Sequence, residues 1–221
     1  AQESRGLGDV YKRQPMFLAR AKELGCEVRY VPSSGDTMEA LERSIRSTLD
    51  ADIIITSGGV SMGDKDFTKE AFGNLGMKLY FDKVDIKPGK PTAFGKIGET
   101  VIINLPGNPL ASMVNYEIFI RAVIHKMSGT KAYYHTTIET EIREDFTLRK
   151  GKYTVRLGNF DGKTFMPLKQ QLPGMVSPME KAEGMIITTP DVGLLQKGMK
   201  AKMIPISWEF FSSKKEDFFT S

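Results

Sequence analysis

The sequence predicts an α/β domain, arranged as three layers around a mostly parallel sheet, followed by a small all-β barrel. In the first 130 residues, short apolar segments rich in β-branched residues alternate with amphipathic helical patterns, which is typical of a parallel sheet covered on both faces. Beyond about Lys131 the helical patterns give way to short alternating segments, which indicate a small barrel or sandwich.

The α/β domain is predicted to span residues 15–130. Its helices show apolar residues at helical spacing, and Gly25 and Gly129 are suited to ending two of them. Helices are predicted for PMFLARAKELG, for TMEALERSIRSTL, from about Asp66 to Gly73 or Leu75, and from Leu110 to Met127; strands are predicted for CEVRYV, DIIIT, KLYFDKVDI, PTAFGKI and TVIINLP. The last two strands flank Gly98-Glu99 and are expected to form a hairpin.

The β-barrel domain is predicted to span residues 135–207. The segments TTIETEI, KYTVRLGNF, TFMPLK, MIITT and MKAKMIPI are interpreted as its strands. Asp161-Gly162 lies between the second and third of them and is a two-residue hairpin signal. Residues 1–14 lack periodicity and are interpreted as a non-native or disordered leader, and residues 208–221 as a frayed tail.

Composition narrows the class of protein. The 221 residues include 31 basic and 27 acidic side chains, and a net charge of +4 is too small to indicate a nucleic-acid partner. The single Cys26 forms no internal disulfide, and Cys and His lack metal-ligand spacing. No apolar run is long enough to cross a bilayer. We therefore expect a soluble, cytoplasmic protein with no nucleic-acid or membrane partner.

Four loops that follow predicted strands contain the candidate binding and catalytic residues. In open α/β sheets, ligands bind outside the carboxyl ends of the strands. The four loops are PSSGD with Asp36, SGGVSMGDKD, KVDIKPGKP and LPGNP. Together they are expected to bring backbone donors, ammonium groups and carboxylates to one edge of the sheet.

The glycine loop that begins at Ser57 has two interpretations. Adjacent glycines at a helix N-terminus let backbone N–H groups approach a phosphate, but they also occur in plain turns. Asp64 and Asp66 either cap the following helix or hold Mg²⁺ beside bound phosphates. Asn108 is the expected N-cap of the long helix, and the N–H groups after it form a second anion site.

The segment KVDIKPGKP carries three lysines. Lys83 and Lys87 are four residues apart, which places them on one face of a strand, and Lys90 adds a third ammonium group in the turn. A solvated basic loop is one interpretation, and a phosphate or oxyanion site is the other. His125, His135, Ser57 and Ser61 have no partner at a suitable spacing, so neither a histidine base nor a serine nucleophile is predicted.

Three motifs in register, SGGVSMGDKDF, IKPGKPTAFGK and LPGNPLAS, resemble the C-terminal half of the MoeA family of molybdopterin molybdenumtransferases, which includes the E domain of gephyrin. The resemblance runs from about Pro15 to Ser207 and implies the MogA-like molybdopterin-binding fold. It also implies insertion of molybdate into adenylylated molybdopterin (molybdopterin-AMP), with release of AMP and with Mg²⁺ present. The family's two N-terminal domains are absent, so this fragment is expected to be inactive alone.

The resemblance also implies residue roles. Asp36, Asp66, Lys83 and Lys87 match family residues implicated in activity, and the lysines would attract molybdate and stabilise charge as AMP leaves. Asp64 and Asp66 are the predicted metal ligands. The predicted cofactor-binding residues are Ser57, Gly58, Gly59, Ser61, Asp64, Lys90, Pro106, Gly107, Asn108 and Pro109.

Two alternative functions stay open on the sequence. One is a molybdopterin adenylyltransferase, which shares the α/β domain, and the other is a non-enzymatic binding or scaffold module. A homodimer is the expected assembly, and a molybdopterin adenylyltransferase is a candidate partner that would supply the adenylate.

Overall fold

The computed structural model describes residues 14–32, 37–58, 67–172, 175 and 177–206. The first helix, α1, covers residues 14–23 and ends at Gly25, whose φ of +77° is the left-handed conformation that favours glycine after a helix. Residues 26–31, predicted as the strand CEVRYV, have no regular secondary structure. Among the described residues, β1 (Ile53–Ser57) pairs only with β5 (Thr100–Leu105), so the predicted strand is not part of the sheet.

A four-stranded sheet forms the centre of the first part of the chain, in the order β1-β5-β4-β2. Its other strands are β2 (Lys78–Phe81), β4 (Ala93–Ile97) and β5 (Thr100–Leu105). β1 and β5 are parallel, whereas β4 is antiparallel to both β5 and β2. The sheet is mixed, and the predicted three-layer, mostly parallel sheet is not confirmed. The Gly98-Glu99 hairpin, which was predicted, reverses the chain between β4 and β5.

Helices pack on both faces of this sheet. On one face, α2 (Met38–Arg46) and α3 (Phe67–Asn74) bury Ile102 of β5 in a cluster that includes Phe72. On the other face, the helical stretch after β5 packs on Val101, Ile103 and Leu105. Alternate residues of β5 therefore enter separate cores, which explains why its apolar run is continuous.

The helix predicted from Leu110 to Met127 contains a π-helical turn. It consists of α4 (Pro109–Asn115), a π segment (Tyr116–Ile120) and α5 (Arg121–Met127). Within the π segment, the Glu117 carboxylate is 1% exposed and forms ion pairs with Arg20 at 3.2 Å and Arg121 at 2.8 Å.

The second part of the chain is a closed five-stranded barrel, as predicted. Its strands run in the order β10-β12-β6-β9-β8, and β8 pairs with β10 to close the ring. The elements are β6 (Ile138–Ile142), β7 (Phe146–Thr147), β8 (Tyr153–Phe160), β9 (Thr164–Pro167), α6 (Ser177–Lys181), β10 (Gly184–Thr188), β11 (Leu194–Leu195) and β12 (Lys200–Pro205). The predicted Asp161-Gly162 hairpin joins β8 to β9.

A two-residue strand, β3 (Ile86–Lys87), connects the two parts. The sequence predicts one strand for KLYFDKVDI, but only its first half joins the mixed sheet. Its last residue, Ile86, and the following Lys87 pair in parallel with the barrel strand β8, with Ile86 opposite Tyr153 and Lys87 opposite Thr154. Ile86 also enters a core shared by Leu110 of α4 and Leu157 of β8.

Candidate functional site

The mixed sheet brings several predicted site residues to one edge, which we call the site edge: β1 and β5 end there and β4 begins there. The Ser57 hydroxyl donates to the Pro106 carbonyl at 3.1 Å, and the Gly58 N–H donates to the Leu105 carbonyl at 3.2 Å. Gly58 has a φ of +96°, so the chain leaves β1 in a conformation that favours glycine. The start of the glycine loop therefore lies against the LPGNP segment.

The LPGNP segment turns from β5 into α4 at the site edge. Pro106 and Pro109 are buried, whereas Gly107 and Asn108 are exposed. Asn108 is the N-cap residue, as predicted, with extended backbone and no side-chain capping hydrogen bond. Its amide and the first N–H groups of the helix are consequently available to solvent or to a ligand.

The lysine turn, residues 83–92, reaches the same edge. Ala93, the first residue of β4, lies opposite Asn104 near the end of β5. The Lys90 carbonyl accepts from the N–H groups of Val84 and Thr92, both at 2.9 Å, which closes the turn beside the start of β4. The glycine loop, the LPGNP segment and the lysine turn thus meet at one edge.

The three lysine side chains of the turn are exposed. Lys83 lies outside any strand and Lys87 lies in β3, but exposure alternates from residue 83 to residue 87, so both side chains lie on the exposed side. None of Lys83, Lys87 and Lys90 forms an ion pair within the described part of the chain. An anion at this edge would meet ammonium groups that no described carboxylate neutralises.

Five predicted site residues, Asp36, Gly59, Ser61, Asp64 and Asp66, lie outside the described residues. Within the described ranges, no group of three or more histidine, cysteine or acidic side chains is arranged to hold a metal ion. None of the helices there combines the length and apolar character that a membrane span requires.

A protein-family model described as "Probable molybdopterin binding domain" matches residues 10–126, more than half of the chain. The chain belongs to this molybdopterin-binding family.

Curated relatives of this molybdopterin-binding chain carry a more specific name. "Molybdopterin molybdenumtransferase 2" of Mycobacterium tuberculosis is 32% identical over 161 residues, which cover 70% of this chain and 40% of the relative. The molybdopterin molybdenumtransferase of Haemophilus influenzae is 39% identical over 113 residues, covering 51% and 28%. The chain therefore spans less than half the length of these relatives.

Solved structures support the fold of the molybdopterin-binding chain. A molybdopterin biosynthesis MoeA protein from Pyrococcus horikoshii superposes with a TM-score of 0.70 at 15% identity, covering 86% of this chain and 45% of that one. A molybdenum cofactor biosynthesis protein from Pyrococcus furiosus gives 0.67 at 19% identity, covering 87% and 64%.

Asn104 of the molybdopterin-binding chain is a site-edge residue that the sequence reasoning missed. It is 1% exposed, its side-chain oxygen accepts from the Thr56 hydroxyl at 2.7 Å, and its Nδ2 has no acceptor among the described residues. Most buried side-chain polar groups have a hydrogen-bond partner, so this amide is a candidate to bind a ligand or a water molecule. An amide near the end of the apolar run TVIINLP was the available signal.

Arg156 on β8 is a second missed residue of this chain. Lys87 of β3 lies opposite Thr154 of β8. Arg156 comes two residues after Thr154, so it lies on the same face of the sheet as Thr154 and Lys87. Its guanidinium lies 4.9 Å from the Phe146 ring centre and forms no ion pair with a described residue, and burial lowers the pKa of Arg156. Only the barrel register reveals this neighbour of the lysine turn.

Proposed function

We propose that the chain is the molybdate-inserting part of a molybdopterin molybdenumtransferase. It binds adenylylated molybdopterin and molybdate at the site edge and releases AMP as molybdenum enters the dithiolene. Family membership and the names of the curated relatives support this assignment. One observation carries it: backbone donors and three lysines without described acidic partners converge where a parallel strand pair ends.

We assign roles by charge, so that the anionic groups of the ligands meet N–H, ammonium and guanidinium groups of the chain. The N–H groups of Gly59 and of the LPGNP segment bind the phosphates, because amide donors approach an anion closely where glycine carries no side chain. Gly58, whose own N–H donates to the Leu105 carbonyl, shapes the turn that presents them. Lys83, Lys87 and Lys90 attract molybdate and stabilise the negative charge that develops on AMP as the phosphoanhydride bond breaks. Arg156 adds a fourth positive charge from the barrel side.

The remaining roles fall on residues outside the described ranges. Ser61 joins the phosphate donors, Asp36 orients the adenylate, and Asp64 and Asp66 bind Mg²⁺. Only the roles of the LPGNP amides, the three lysines and Arg156 rest on described residues. A homodimer, a cytoplasmic location and an adenylyltransferase partner that supplies the adenylate belong to the same proposal.

Two units underlie this function in our proposal: an α/β domain over residues 15–130 and a barrel domain over residues 135–207. The mixed sheet and the closed barrel support the division, and the strand pair β3–β8 joins them.

Binding by calorimetry tests the proposal on the chain itself. Molybdate and AMP are titrated into the wild type, Lys87→Met and the control Lys131→Met, whose exposed lysine lies in the segment between α5 and β6. We expect Lys87→Met to weaken molybdate binding about tenfold, as for loss of a charge-assisted contact, and Lys131→Met to leave it unchanged. Equal affinities in all three proteins, or formation of adenylate from molybdopterin and ATP, would contradict the proposal.

A further inference from the structure

Asn115 is the last residue of α4, and its side chain contacts the lysine turn. Its side chain is fully buried, and Nδ2 donates to the Gly89 carbonyl at 2.8 Å and also to the Thr92 hydroxyl. The Thr92 hydroxyl donates in turn to the Gly89 carbonyl at 2.9 Å. Three groups thus form a buried hydrogen-bonded triangle that fixes the apex of the turn to a helix.

The contact is too close for any residue but glycine at the apex. Gly89 has a φ of +123°, which L-residues rarely adopt, and a Cβ there would lie 2.5 Å from Asn115 Nδ2. The backbone of the turn therefore rests directly on the amide of Asn115. Close packing against Asn115 therefore restricts the position of the turn, in addition to the hydrogen bonds that hold it.

Two different anchors hold the two ends of the lysine turn. Lys87 is fixed by β3, which pairs with β8 of the barrel. Lys90 follows Gly89, and its carbonyl accepts from the N–H groups of Val84 and Thr92, so its position depends on the triangle made by Asn115. The N-cap of the same short helix is Asn108 of the LPGNP segment. Helix α4 therefore contacts two of the three segments at the site edge.

We propose that Asn115 is a positioning residue that holds Lys90 in place for oxyanion binding. The inference rests on the proposed function for its ligand, while the clamp itself is a property of the described residues. A lysine whose backbone is already held in the bound geometry gives up less conformational freedom when the anion arrives. Loss of the Asn115 donor should therefore weaken binding through Lys90 and leave the contribution of Lys87 intact.

Hydrogen exchange tests the clamp without any ligand. Asn115→Leu keeps the side-chain shape and removes the donor without adding a charge, and Thr92→Val removes the second member of the triangle in case the first variant folds poorly. We expect the amides of Val84 and Thr92 to exchange about fivefold faster in either variant, as for loss of one net hydrogen bond. Ser112→Ala, whose hydroxyl donates only to Pro109 of its own helix, is the matched control and should leave these rates unchanged.

Molybdate affinity then tests the role of the clamp. We expect Asn115→Leu to raise Kd about fivefold in the wild-type background and to have no further effect once Lys90→Met is present, whereas its effect should persist with Lys87→Met. An equal effect in all three backgrounds would overturn the inference, as would unchanged exchange at Val84 and Thr92. If exchange accelerates but molybdate binds to none of the proteins, including the wild type, the clamp stands and the role in oxyanion binding, together with the proposed function, fails.

Discussion

The mixed sheet and the barrel differ in whether their outermost strands are paired. The mixed sheet is open, and its strand ends carry the glycine loop, the LPGNP segment and the lysine turn. The barrel closes on itself through β8 and β10, and β8 also pairs with β3 at the lysine turn. In the proposed site, the open sheet supplies the groups that bind the ligand, whereas the closed barrel supplies a rigid support for one of them, Lys87.

Removing a ring from the barrel interior should have the largest effect. Phe165 is fully buried, and its ring packs against Gly158 of β8, where a Cβ would lie 2.4 Å from Phe165 Cζ. Phe165→Ala should lower the free energy of unfolding by about 3–5 kcal/mol, measured by urea denaturation. The control Leu172→Ala removes a side chain that is 66% exposed and should change it little. Equal losses in both variants would refute the barrel as a rigid support.

Breaking the buried ion pairs of the α/β part should have an intermediate effect. Glu117→Gln removes the carboxylate that Arg20 and Arg121 share, but Arg20 keeps its ion pair with Glu23 at 2.9 Å. Both arginine side chains also keep partial access to water, at 26% and 29% exposure. We expect a loss of about 2 kcal/mol in unfolding free energy. The control is Glu99→Gln, since Glu99 is fully exposed in its ion pair with Lys96. A loss no larger than that of the control would show that burial of Glu117 contributes little.

At the site edge, a smaller loss is expected from Thr56→Val. The change removes the donor to the Asn104 side-chain oxygen and leaves the buried amide without a described partner. We expect a loss of about 1 kcal/mol, measured by thermal denaturation. A ligand that accepts from Asn104 Nδ2 should raise the melting temperature of the wild type more than that of Thr56→Val, because the variant lacks the hydroxyl that orients the amide. The same measurement with AMP and molybdate therefore tests whether the amide faces the ligand, and an equal rise in both proteins would contradict it.

The smallest effect is expected at the barrel hairpin. The Asp161 carboxylate accepts from the Thr164 hydroxyl at 2.7 Å and from two backbone N–H groups, and these bonds hold the pKa of Asp161 below its usual value. A lowered folded-state pKa stabilises the protein above the unfolded pKa of about 4, and this contribution is lost as the pH falls through the folded value. Asp161→Asn should remove that pH dependence and cost well under 1 kcal/mol at pH 7, since the side chain is largely exposed. An unchanged stability profile between pH 5 and pH 2 would contradict this.

Local patterns predicted the elements whose partners are near in sequence. The hairpins at Gly98-Glu99 and Asp161-Gly162 and the helix after Pro109 are confirmed, because turn chemistry and periodicity act over a few residues. The KLYFDKVDI strand was wrong in its second half because Ile86 finds its partner in β8, far along the chain. Apolar composition also could not distinguish a mixed sheet from a parallel one.

The site was predictable to a similar extent. Ser57, Gly58, the LPGNP segment and the lysine turn were identified by sequence, and topology places them at one edge. Asn104, Asn115 and Arg156 escaped because their significance depends on what each side chain contacts in the folded chain. The roles assigned to the acids, Asp36, Asp64 and Asp66, remain predictions, since these residues lie outside the described ranges.

The pairing of β3 with β8 has a consequence for biosynthesis. Ile86 and Lys87 leave the ribosome well before Tyr153 and Thr154, so the strand that carries Lys87 waits for its partner during translation. A nascent chain that has completed only the mixed sheet would leave Lys87 unanchored, although Asn115 already holds the turn at Gly89. The proposed affinity for an oxyanion would therefore be complete only late, once β8 has formed and paired with β3.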